Sequence, residues 1–175
     1  MALSPELYQI FIIYFDEING YIPLLIFPDD FIKNDEKLMR PIKFHPIWFL
    51  NAKDQKDSEQ INLIYDGKVY FAKKRKLGLR EKTFDIIVVI IALPKEMELY
   101  GSKFLNLISE FVIEEFEDLF YQIIESEILK ENLIKTPESR EIIKKGDILK
   151  IEMKNLIKNI WGDYFSSTIY YYKEH

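Results

Sequence analysis

Residues 84–93 read FDIIVVIIAL and end on Pro94. The run is rich in β-branched side chains, which are stiff in a helix and pack well on a pleated surface. It is too short to span a bilayer as a helix, which needs about 20 apolar residues. It is apolar at nearly every position instead of alternating, so it reads as a strand buried on both faces, in the middle of a covered sheet. Residues 7–15 have the same character and predict a second central strand.

The surrounding strands follow from turn chemistry. Asp16-Glu17-Ile18-Asn19-Gly20 is a turn, because Asn and Gly tolerate positive φ. It returns the chain along 21–27, where Pro23 cannot donate to a ladder and so predicts an edge strand. Ile61, Leu63 and Tyr65 alternate with polar positions, giving a half-buried strand. Asp66-Gly67 predicts a type I′ hairpin turn into a further strand over 68–73. Between the two hairpins, Asp29 or Asp30 is placed to cap a helix running from Phe31 towards Met39. Pro41 and Pro46 interrupt the chain beyond Met39, so 31–51 is expected as one broken helical layer.

After Pro94 the apolar period changes from two to 3.6. Phe104, Leu105, Ile108, Phe111, Val112, Phe116, Leu119, Phe120, Ile123 and Ile124 form one stripe, predicting a helix from 98 to about 128, roughly 40 Å long. Thr136-Pro137 is an N-cap followed by proline at the first helical position. The helix it opens carries Ile142, Leu149, Met153, Leu156, Ile157, Ile160, Trp161 and Tyr164 on one face. Gly146 costs that helix about 1 kcal/mol against alanine, which points to close packing. Residues 166–175 show no period and read as a tail. The expected fold is α+β, in the order β-β-α-β-β-β-α-α. A five-stranded antiparallel sheet has a short helical layer on one face and two long C-terminal helices on the other, in three layers. The prior for 175 residues is one domain, with its core over about 6–165.

Composition narrows the chemistry. Cysteine is absent, which removes thiol nucleophiles, disulfides and Cys-ligated metals. His45 and His175 are the only histidines, and His45 lies between Phe44 and Pro46 with no G-x-S-x-G elbow in the chain. The carboxylate pairs Asp16/Glu17 and Asp29/Asp30 fall where a turn and a cap explain them, and no D-x-D-x-D loop accompanies them. Neither G-x-x-x-x-G-K-[ST] nor G-x-G-x-x-G occurs. The sequence therefore predicts no catalytic residue, no metal site and no cofactor. The net charge of −5 disfavours general nucleic-acid binding. No secretory signal or membrane span is read, so the expected location is the cytoplasm.

Charge is unevenly spread. Lys73, Lys74, Arg75, Lys76, Arg80 and Lys82 stand against Glu81 alone and predict a basic loop over 73–82. Glu110, Glu114, Glu115, Glu117, Asp118, Glu125 and Glu127 have no Lys or Arg among them and predict an acidic helix face. The basic residues Lys73, Lys74, Arg75, Lys76 and Arg80 are the candidate contact for an anionic partner. Trp48 and Phe49 are candidate interface anchors, though core is the commoner fate of such residues.

The stretches FDEINGYIPLLIFPDD (15–30), PIKFHPIWFLN (41–51), INLIYDGKVYFA (61–72) and FEDLFYQIIESEI (116–128), taken with the element order, resemble longin domains and more locally archaeal longin-like proteins. The resemblance implies a non-enzymatic adaptor that binds proteins in small-GTPase-regulatory or membrane-trafficking assemblies. It implies pairing with itself or with another longin or roadblock domain. No site residue carries over. The Pro-broken first helix departs from a simple longin first helix. The alternative is a peripheral binder of anionic surfaces, lipid headgroups or nucleic acid, through 73–82, with weak membrane contact.

Overall fold

The computed structural model describes residues 8–16, 18, 20–43, 60–80 and 83–173, with side chains described for all of these except 78–80, 83–86, 113 and 165–173. The strands are β1 (Gln9–Asp16), β2 (Gly20–Phe27), β3 (Gln60–Tyr65), β4 (Lys68–Arg80) and β5 (Thr83–Pro94). They form one antiparallel sheet in the order β2-β1-β5-β4-β3. The two apolar runs, β1 and β5, are adjacent and interior, and Pro23 lies on the edge strand β2, as expected. The register slips between Ile12 and Ile13, where Leu25 and Pro23 are the successive partners on β2. That bulge sits at the residue that has no N–H to give.

The turns obey the chemistry of their residues. Asp66 and Gly67 both have positive φ, 48° and 72°, which a type I′ turn requires. Gly20 has φ 76°. The Ile18 N–H donates to the Asp16 carboxylate at 2.8 Å.

Between β2 and β3 lie a 3₁₀ turn, Asp30–Asn34, and the helix α1, Glu36–Lys43. Asp29 caps the first, accepting from the Phe31 N–H at 2.9 Å. The second has its own cap, Asp35, which accepts from the N–H groups of Lys37 at 3.0 Å and Leu38 at 3.1 Å. The expected interruption at Pro41 does not occur there: α1 runs through Pro41, which is buried, to Lys43. The remainder of the expected 31–51 layer lies outside the described residues.

The helix expected from 98 to 128 is two helices. α2 spans Glu98–Phe116 and α3 spans Phe120–Lys130, with a 3₁₀ turn, Glu117–Leu119, between them. Phe104, Ile108, Val112, Phe116, Phe120 and Ile124 are all buried. An i, i+4 row drifts about 40° per step around a straight α-helix. One unbroken straight helix would carry the ends of that row to opposite sides; the chain is instead divided into two helices at the 3₁₀ turn.

The last helix, α4, spans Pro137–Lys173, so 166–173 is helical and not the tail expected from its lack of period. Thr136 caps it, its Oγ1 accepting from the Ser139 N–H at 3.1 Å. Gly146 is where α4 meets α3: a Cβ there would clash with the Cβ and Oγ of Ser126.

Burial divides along the strand alternation. Ile10, Ile12, Val69, Phe71, Val89, Ile91 and Leu93 pack with Phe104, Leu105, Ile108, Phe120, Ile123, Met153, Ile157 and Trp161 of the three long helices. The intervening residues Phe11, Ile13, Tyr70, Ala72, Val88, Ile90 and Ala92 form a second cluster with Met39 and Ile42 of α1. Tyr8 stacks on Trp161, with ring centroids 3.6 Å apart, and Phe104 meets the Trp161 ring edge-on at 4.5 Å. No helix among the described residues is long and apolar enough to cross a membrane.

Candidate functional site

The basic run is not a loop. Lys73 to Arg80 continue β4, and Lys73, Lys74, Arg75 and Lys76 lie opposite Val89, Val88, Ile87 and Ile86 of β5. Lysine has little strand preference of its own. Pairing with a strongly strand-forming neighbour outweighs that preference. β3 ends at the pair Gln60↔Lys73, so β4 runs on past it beside β5.

Strand geometry then separates the charges. Successive side chains point to opposite faces, so Lys73 and Arg75 share the face of Phe71 and Leu77, while Lys74 and Lys76 share the face of Tyr70 and Ala72. Lys73 donates to the Asn106 side chain of α2 at 3.1 Å. Lys74 is only 7% exposed. Lys73, Arg75 and Lys76 are partly covered. The run therefore does not gather into one exposed patch. The Arg80 side chain, Lys82, His45, Trp48 and Phe49 lie outside the described residues.

The acidic face is more nearly as read. Glu110, Glu114, Glu115, Glu117, Asp118 and Glu125 are exposed along α2, the turn after it and α3, and none of them forms an ion pair among the described residues. Phe111 is 49% exposed in their midst.

Glu127 belongs elsewhere. It accepts from Lys130 at 2.8 Å and from Lys150 at 2.9 Å. Lys130 also reaches Asp147 at 2.6 Å. Lys150 stands 4.0 Å from Asp30, which Lys154 contacts at 3.1 Å. This chain of charges ties α3, α4 and the 3₁₀ turn before α1 together. Burial works to lower the Lys130 pKa, but its hydrogen bonds to Asp147 and Glu127 and their charges outweigh it and hold the ammonium above the usual lysine value. The i, i+4 spacing of Lys150 and Lys154 was visible in the sequence. Their partners come from two other elements, and spacing alone does not bring those together.

Of the carboxylate pairs, Asp16 and Asp29 take the turn and cap roles expected, Asp30 does not, and Glu17 lies outside the described residues. Asp16 organises a turn, Asp29 caps a turn, and Asp30 is an ion-pair partner. No group of three or more His, Cys, Asp or Glu side chains comes together to hold a metal among the described residues. Lys68 donates to the Gln9 side chain at 2.7 Å, and burial lowers its pKa against a smaller opposing pull from Asp35. Burial pushes the phenols of Tyr8 and Tyr70 well above their usual range, with Asp66, Tyr65 and Asp35 adding to it at Tyr70. No family model matches the chain, and the search of curated proteins returns no significant match.

Proposed function

We propose that the chain is a longin-type interaction module: a non-enzymatic adaptor that contacts another protein in a small-GTPase-regulatory or membrane-trafficking-like assembly. One observation carries the proposal. The expected strand and first-helix order β-β-α-β-β-β is realised as one antiparallel sheet, with α1 contributing to the cluster on one face and three C-terminal helices, where two were expected, to the cluster on the other. This supports a three-layer arrangement of the kind the segment resemblance implies. The Asp30, Glu127, Lys130 and Lys150 charges hold elements together instead of converging on a reacting centre, which suits a binding role. The partner is a small GTPase or a second longin or roadblock domain, and pairing of two copies of the chain belongs to the same reading.

The anionic-surface alternative asks Lys73, Lys74, Arg75 and Lys76 to act together. Their division between two strand faces, with Lys74 buried, weighs against it. The test is affinity capture on the whole protein, with the lysate loaded in parallel with GDP or a GTP analogue. Specific enrichment of a small GTPase or of a longin or roadblock chain is the expected result. Recovery of salt-sensitive lipid or nucleic acid alone overturns the proposal.

A further inference from the structure

We draw no further inference here: the strongest candidate, the exposed face of α2 and the turn after it, where Glu110, Glu114, Glu115 and Asp118 surround the half-exposed Phe111, carries nothing because nothing in the structure shows what covers it.

Discussion

Replacing Gly146 by alanine adds one methyl group at a close contact between α3 and α4. In an open helical position that change stabilises by about 1 kcal/mol, since glycine loses more backbone freedom on folding. Gly162, on the same helix, is such a position: a Cβ there meets nothing within 4 Å among the described residues. At Gly146 the new atom falls on the Cβ and Oγ of Ser126, with the Gln122 carbonyl oxygen 3.5 Å away. The Ser126 Cβ is fixed to its own helix, so rotating a side chain cannot relieve the overlap and the helices must part. Overpacking of this kind costs about 1–3 kcal/mol. Taking the upper end against the propensity gain leaves Gly146→Ala destabilised by about 2 kcal/mol. The two alanine variants then differ by about 3 kcal/mol, or about 6–12 °C in Tm for a chain of this size. Calorimetry or urea unfolding of both measures the difference. Adding Ser126→Gly to Gly146→Ala removes the obstructing atoms. The double-mutant cycle is expected to show about 3 kcal/mol of coupling, because the bond lost from Ser126 Oγ to the Ile143 carbonyl is common to both Ser126→Gly arms and cancels. If Gly146→Ala stabilises as much as Gly162→Ala, the close helix contact is wrong.

The Glu127–Lys150 pair is little exposed, at 15% and 10%. Lys150→Met is expected to cost about 2 kcal/mol, below the range for fully buried pairs, with much of that loss absent in a Glu127→Gln background; equal losses in both backgrounds argue against direct coupling. Lys130 has a folded pKa above its unfolded value of 10.5. Its contribution is thus complete below pH 10.5 and lost as pH rises through the folded value. The stability gap between the wild type and Lys130→Met should stay constant from about pH 6 to 9 and narrow only above pH 10.5, as read by urea titration at each pH; a gap that closes near neutrality refutes the assignment. Trp161→Ala removes the ring between Tyr8 and Phe104 and is expected to cost about 3–5 kcal/mol in urea unfolding; a loss under about 1 kcal/mol contradicts the stack.

The central strands were legible because burial on both faces leaves an uninterrupted apolar run, and β1 and β5 each show one. Asp66-Gly67 and Thr136 were legible because each satisfies a local backbone need that few residues meet. The features that escaped depend on partners distant in sequence. Lys73–Lys76 look like loop residues until Ile86–Val89 lie alongside them. The break after Phe116 has no proline or glycine to announce it. Its one trace in the sequence is the length of the Phe104–Ile124 row, whose drift of about 40° per i, i+4 step a single straight helix cannot keep on one face. The Asp30–Lys150–Glu127 chain needs three elements in place before any pair exists. The candidate site was least legible, since the charge asymmetry marks where charge lies along the chain and not which side of a strand it occupies.

The sheet order also fixes when the molecule can close. The β1–β2 and β3–β4 hairpins are each local in sequence, yet neither pairs with the other's strands: β5 lies between them, pairing Tyr14 with Ile87 on one side and Ala72 with Ile90 on the other. A chain emerging from the ribosome presents the sequences of both hairpins before the strand that unites them exists. Until residue 94 is available, the inner edges of β1 and β4 stay open and the apolar sides of both hairpins face water. That interval is the one in which the nascent chain is exposed to mispairing, and it makes β5 the commitment step for the whole sheet.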